Sequence, residues 1–414
     1  MSDLQEQLDL LRKRIARINR KYAGKSALAA KKTATSTRIP SESLPGKEVE
    51  TPEGRHWEME KLYARHRRHG SMDISDLNEL PGNLLHPISN GRIADAPPAT
   101  WAFLDTETSG LAGGAGTFAF LIGVGRITPD GFYVRQFFMR EHAEEPSLLH
   151  ALAEHLKQFR ILITYNGMSF DQPLLETRFR LVHTRPPFGE MEHLDLLFGA
   201  RRLWKLRFDS CRLIELENQI LGVERQGDLP GEMIPYVYFE YLRTQTADRL
   251  IPIFHHNAID ILTLACLTGI VPWAFHSPEN ARLSHGTELA GLARWCRQAH
   301  QDEQALALFR RAVERGLSDD LLFRTLWDIA LLEKKLGNET AALAAFVELS
   351  ACRNAFRVAA LEELAKHYEH RQRDHARALE MTLQALEIED SEPVRRRKLR
   401  LERRLARPQS ESLL

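Results

Sequence analysis

The segment Trp101-Ala102-Phe103-Leu104-Asp105-Thr106-Glu107-Thr108-Ser109-Gly110 puts two acids at the end of a short apolar run. A run of that length suits a buried strand, and on a strand residues i and i+2 point to the same face. The same spacing occurs at Glu48/Glu50, Glu58/Glu60, Glu215/Glu217 and Glu387/Glu389, where it reads as surface charge. Context separates Asp105 and Glu107 from these. At the end of a central strand, two like charges cost free energy unless a cation neutralises them.

Working outward, Thr117 to Val124 is a second apolar run, joined to the first through the glycine-rich stretch Gly110 to Gly116. Pro129-Asp130-Gly131 is a turn signal before the alternating Phe132 to Met139, so three strands form an antiparallel meander. Leu148, Leu149, Leu152 and Leu156 mark an amphipathic helix. Ile161 to Tyr165 then reads as a strand, Phe170 to Leu181 as a helix, His193 to Leu197 as a strand, and the rest to about residue 275 as helical. The fold expected over 99–275 is therefore an α/β domain with a mixed sheet, antiparallel meander plus parallel strands, and flanking helices. The Gly113-Gly114-Ala115-Gly116 run is not a dinucleotide fingerprint, because a strand rather than a helix follows it.

From residue 286 the strand signals stop. Ala305, Phe309 and Ala312 recur as Ala342, Phe346 and Leu349, and again as Ala378, Thr382 and Ala385, with small residues Ala293 and Ala330 one helix earlier. The pattern resembles tetratricopeptide repeats and predicts an all-α helical-repeat domain over 285–390 that could bind a protein partner; an ordinary helical bundle is the alternative. Upstream, Leu4, Leu8, Leu11, Ile15 and Ile18 fall on one face of an N-terminal helix over 1–22. Residues 23–98 read as a linker, mobile to about residue 54, and an extension without an assigned fold. Residues 391–414 read as a basic tail.

A length of 414 residues predicts two or three domains. With 43% hydrophobic and 27% charged residues, wholesale disorder is excluded. No apolar run approaches the ~18 residues of a membrane span, and no signal peptide is visible. The four cysteines (Cys211, Cys266, Cys296 and Cys352) lack any paired spacing, which excludes a disulfide framework and a spaced zinc site. A cytoplasmic protein without a membrane partner is the expectation. The formal net charge of zero hides basic ends around an acidic middle: residues 1–70 carry 16 Lys and Arg against 9 Asp and Glu, residues 100–275 carry 16 against 21. Basic arms of that kind hold polyanions near an acidic site, and they also occur as plain solvated faces.

Two further acids have telling contexts. Asp171 follows the strand Ile161 to Tyr165, the turn Asn166-Gly167 and a capping Ser169, which puts it in the first turn of a helix beside the strand ends. Asp260 lies in Phe254-His255-His256-Asn257-Ala258-Ile259-Asp260, on an otherwise apolar helix. Asp195 is an accessory acid or, more simply, a strand-end residue. Asp-x-Glu on a first strand, Tyr-Asn-x-x-x-Phe-Asp at a strand–helix junction and His-Asn-x-x-Asp on a helix resemble the DEDD 3′–5′ exonucleases of the ribonuclease H-like superfamily. Phe103 to Gly125 is especially similar to the YprB-type branch.

The resemblance implies a hydrolase that cleaves phosphodiester bonds of DNA or RNA at a single-stranded 3′ end. It makes Asp105, Glu107, Asp171 and Asp260 the ligands of two Mg²⁺ or Mn²⁺ ions, with oxygen donors suited to hard cations. The same four acids, with one histidine, would be catalytic. The chain departs from both DEDD patterns, because Asn257 stands where one branch has Ala and His256 where the other has Tyr. Helical spacing puts His256 on the face of Asp260 and turns His255 away, which favours His256 as the base. Thr108, Asn166, Arg201, Arg202 and Lys205 are expected to contact nucleic acid. The last three lie in a basic stretch with Arg207 and Arg212, interleaved with Trp204 and Phe208. A structure-specific endonuclease and a non-catalytic nucleic-acid-binding scaffold remain as alternatives.

Overall fold

The apolar run from Trp101 becomes an inner strand of a seven-stranded sheet. The computed structural model describes residues 44–89, 91–110, 116–225, 227–279 and 283–406. The N-terminal helix expected from Leu4 to Ile18 and residues 111–115 of the glycine-rich loop lie outside them. In chain order the first half contains β1 (Lys47–Thr51), β2 (Gly54–Ala64), the small hairpin β3 (Arg68–His69) and β4 (Met72–Asp73), then β5 (Trp101–Thr108), β6 (Ala119–Thr128) and β7 (Gly131–Phe138). There follow α1 (Glu145–Leu156), β8 (Ile161–Thr164), α2 (Asp171–Leu181), β9 (Glu192–Asp195), α3 (Leu196–Trp204), the short α4 (Leu213–Leu216), α5 (Ile234–Thr244) and the long α6 (Ile251–His276).

The sheet order is β1-β2-β7-β6-β5-β8-β9. Its first five strands pair antiparallel, and β8 and β9 add in parallel beside β5. The expected meander and mixed sheet are present. The strand read as His193 to Leu197 ends earlier, at Asp195, because the Asp195 carboxylate accepts the Leu197 N–H and starts α3. The sheet also reaches into the stretch read as linker and unassigned extension, through β1 and β2. Their concealment has a physical cause. Two of the three enclosed side chains on β2 are His56 and Glu58, 3.0 Å apart, with Arg135 of β7 at 2.7 Å from Glu58; Tyr63 is the third, and Leu62 faces solvent. Polar residues inside and an apolar one outside invert the usual strand pattern.

Helix α6 crosses the sheet and packs on β5, β6 and β7. It is long and apolar enough to cross a membrane by length and composition, yet 72% of its most apolar window is buried inside the fold. Its approach to β6 depends on Gly123, where a Cβ would lie 2.2 Å from Asn257 Oδ1 and 2.3 Å from Ile261 Cδ1. We expect Gly123→Ala to destabilise the protein by about 1–3 kcal/mol through overpacking. Denaturant unfolding at unchanged m-value checks this, and an unchanged midpoint would refute the close packing.

The second half is a succession of helices: α7 (Gly286–Gln298), α8 (Asp302–Glu314), α9 (Asp319–Lys335), α10 (Glu339–Ala351), α11 (Arg357–His367), α12 (His375–Ile388) and α13 (Glu392–Leu405), each packed on the next. The recurrent residues occupy equivalent inward positions of alternate helices: Ala305/Phe309/Ala312 on α8, Ala342/Phe346/Leu349 on α10 and Ala378/Thr382/Ala385 on α12 are all buried. The stretch read as a basic tail is, as far as residue 405, the packed helix α13, which buries Val394 and Leu401. Part of its charge turns inward. The fully enclosed Glu369 carboxylate meets Arg400 at 2.8 Å, Arg404 at 3.2 Å and Arg397 at 3.7 Å.

The halves share a core. One apolar cluster runs from Phe103 and Ile163 through Ala200 and Leu203 to Leu289, Trp295, Phe309 and Ile329. Gly291 allows α7 to sit on α3, since a Cβ there would lie 2.5 Å from the Arg202 carbonyl oxygen.

Candidate active site

Strand β8 pairs with β5 only as far as Phe103, while β6 follows β5 to Thr108 with a register shift after Glu107. Asp105 and Glu107 therefore lie just beyond the parallel pairing, where the chain leaving β8 turns into α2. Asp171, the first residue of α2, receives the Thr106 hydroxyl at 2.5 Å. On the α6 side, the Asn257 amide donates to Asp105 Oδ2 at 2.9 Å and to the Asp105 carbonyl at 3.2 Å. The amide is oriented by Gln136 of β7, which donates to Asn257 Oδ1 and to the Phe254 carbonyl, both at 2.8 Å. Asp260 follows one turn along α6.

Burial raises all four acids, and the charges of their neighbours add to it at Asp105 and Glu107. Burial raises the carboxyls of Asp105 and Glu107 well above the usual range. The charge of Asp260 and then of Asp171 adds to the effect at Asp105, and that of Asp105, Asp260 and Asp171 at Glu107. Burial also lifts Asp171, to about 6 despite the Thr106 hydrogen bond. At Asp260 burial wins over the opposing pull of His256 and Arg225. Four carboxylates so placed lack positive charge.

Arg225 supplies some of it. The guanidinium is 8% exposed and reaches Asp260, Glu217 at 2.5 Å and Asp228 at 3.2 Å. Burial pulls its acidity one way, and the Asp260 and Glu217 carboxylates outweigh it, so the cation is held firmly. Asp228 accepts a hydrogen bond from His256 Nδ1 at 2.9 Å, which leaves Nε2 facing Asp260 Oδ2 at 3.5 Å, too long for a hydrogen bond. Burial opposes ionisation of Asp228, but the His256 hydrogen bond and charge bring its carboxyl below the usual range. His255 is exposed and lies 3.5 Å from Lys61 Nζ, away from the acids. Arg225, Asp228 and Gln136 were missed in the sequence; they sit in a loop without periodicity or on a strand, far from any motif.

The other expected residues divide. Asn166 takes a left-handed conformation (φ 69°), and its N–H and that of Met168 are held by Asp195 at 2.7 and 3.2 Å. Asp195 is thus the brace of this turn and of α3. The Thr108 hydroxyl donates to the Gly110 carbonyl at 2.9 Å. Arg201 and Arg202 are exposed on α3, and Lys205 Nζ donates to the Asp209 carbonyl at 2.6 Å. Trp204 is buried and offers no surface for stacking.

Carboxylate oxygens clustered without enough compensating charge fit hard divalent cations, which Asp105, Glu107, Asp171 and Asp260 would hold. The side chains are not already drawn into a cage: no group of three or more His, Cys, Asp or Glu among the described residues is arranged to hold a metal ion.

Fold and sequence agree on the class. Residues 102–271 match the RNase H superfamily, which points to a nuclease acting on nucleic acid. Over 331 residues, 78% of this chain and 78% of the other, the sequence is 34% identical to the protein YprB of Bacillus subtilis (strain 168). The chain belongs to the YprB family, with a ribonuclease H-like domain followed by a helical region.

Proposed function

We propose that the chain is a 3′–5′ exonuclease using two Mg²⁺ or Mn²⁺ ions, acting on a single-stranded 3′ end of DNA or RNA. The observation that carries this reading is the convergence of Asp105, Glu107, Asp171 and Asp260 from β5, α2 and α6, all four raised by burial and the first two also by the charges of their neighbours. Bound cations would activate the attacking water and stabilise the leaving oxygen. The protein's own part is positional. Asp228 fixes the tautomer of His256 with Nδ1 as donor, so Nε2 is the acceptor that takes the proton of the attacking water. Asn257 and Gln136 hold Asp105 in place from behind. The helical region, tetratricopeptide-like in its repeat, would recruit a protein partner.

The test is a nuclease assay on 5′-labelled single- and double-stranded DNA and RNA with Mg²⁺ or Mn²⁺. A ladder shortening from the 3′ end, abolished by chelator, is the expected result; a discrete internal cut would mean an endonuclease. In the same assay His256→Ala should cost ~10²–10⁴-fold in rate, the usual contribution of a general base. His255→Ala should leave the rate unchanged, and the reverse ranking would overturn the assignment of the base.

The Arg225–Asp260 ion pair and the lack of a ready-made cage favour a second reading, a nucleic-acid-binding scaffold without turnover. Binding of the labelled strands without cleavage under any metal would select it.

A further inference from the structure

A cleft of about 370 Å³ opens between the turn after β8, helix α3, residues 88–89 and 92–93, and Trp295 of helix α7. Met168 and Phe198 line it and are 41% and 51% exposed, which puts two large apolar side chains on one cleft. Arg92 and Arg202 also line it, and both are exposed. The Arg92 Nε donates to the Ser89 carbonyl at 3.1 Å, and the Arg202 guanidinium lies 5.1 Å from the Trp295 ring. Neither arginine forms an ion pair with a carboxylate among the described residues. The acids of the cleft are engaged elsewhere: Asp195 by the N–H groups of Asn166, Met168 and Leu197, and Glu192 by the Ala94 N–H at 2.9 Å.

The wall of the cleft adjoins the segment that carries Asp171. His193 in its wall bonds Gln172 at 2.6 Å, the neighbour of Asp171, and Met168 lies three residues before Asp171. A strand held at the acids has this channel beside it, with two apolar side chains to stack on bases and two guanidinium groups to meet phosphates.

We infer that this cleft binds the single-stranded nucleic acid upstream of the cleaved end, so that the helical region completes the substrate track. The inference rests on the nuclease reading only for which end of the strand enters it. Phe198 and Arg92 are exposed, so Phe198→Ala and Arg92→Gln should leave the fold intact, which thermal unfolding verifies.

The experiment measures fluorescence anisotropy of fluorescein-labelled oligothymidylate and oligouridylate, 4 and 12 nucleotides long, in chelator. Hydrolysis of the same oligomers is measured with Mg²⁺. Phe198→Ala should weaken 12-mer binding roughly ten- to a hundredfold, as loss of base stacking does. Arg92→Gln should weaken it too and flatten its salt dependence. Hydrolysis of the 4-mer should not change in either variant. Unchanged 12-mer affinity in both variants overturns the inference and leaves the cleft to a peptide or to nothing, even if the wild type cleaves. Wild-type 12-mer binding that depends on Phe198, without cleavage of any oligomer, upholds the cleft and overturns the nuclease reading instead. Absence of both binding and cleavage in the wild type overturns both.

Discussion

Asp105→Asn should reduce hydrolysis by at least ~10³-fold while leaving the metal-free protein as stable as before, or more so. The two halves of this expectation have one origin. The Asp105 carboxyl is raised by burial and by the charges of Asp260 and Asp171, so in the absence of cations its ionised form is a burden on the fold. The amide keeps an oxygen to accept the Asn257 hydrogen bond, and it removes a charge that cations need. The unfolding temperature in chelator should therefore rise or stay level, and the stabilisation by Mg²⁺ expected of the wild type should shrink. An active variant would remove Asp105 from the site. A variant that melts well below the wild type in chelator would contradict the electrostatic account.

The same cluster sets a pH dependence. The folded-state value of Asp171, about 6, lies above its ordinary 3.8. Below 3.8 the group is protonated whether the chain is folded or not, and its contribution to stability is fully present. As pH rises toward 6 the unfolded chain releases the proton first, and that contribution is lost, by no more than about 3 kcal/mol. Metal-free protein should thus lose stability from this group between pH 4 and 6, and Asp171→Asn should remove that component.

Arg225→Met has the largest expected effect on stability. The substitution leaves Glu217, whose side chain has no exposed surface, together with Asp228 and Asp260 without their shared cation. Removing one partner from a buried ion pair costs about 3–5 kcal/mol, because the remaining charge stays desolvated. In a chain of 414 residues that lowers Tm by roughly 3–6 °C. Arg225→Lys should recover much of the loss, since the charge is kept while the fork geometry is not. Mg²⁺ should recover part of it in Arg225→Met by meeting Asp260. A Tm within about one degree of wild type would mean that the network is solvated and contributes little.

Much of the site was legible because its signals are local. Asp105 and Glu107 stand out as charges at the end of an apolar strand, Asp171 as an acid in a first helical turn, and Asp260 as the one carboxylate on an apolar helix. Helical spacing alone separated His256 from His255. Other parts depend on tertiary partners that no local pattern encodes. Asn257 looked like a departure from a family pattern, and its reason is Gly123, 134 positions earlier, whose missing side chain gives the amide room beside Asp105. Arg225 and Asp228 lie in an irregular loop and acquire meaning only from Glu217, His256 and Asp260. The strand from Gly54 was hidden because two of its three buried residues are His56 and Glu58, hydrogen-bonded to each other. Trp204 misled in the opposite direction: beside basic residues it read as a stacking platform, whereas α3 turns it into the core.

The apolar cluster that joins the sheet to α7, α8 and the second half of α9 bears on how such proteins can be recombined. A break near residue 280, between the two apparent halves, would strip Ala200 and Leu203 of the Leu289 and Trp295 surfaces that cover them. The next cluster begins at Ala330 and gathers Phe346, Leu349 and Leu364. Helix α9 faces both clusters, so the seam at which helices can be exchanged, added or deleted lies within the helical region, and the folding unit of the sheet domain extends at least two helices past its end.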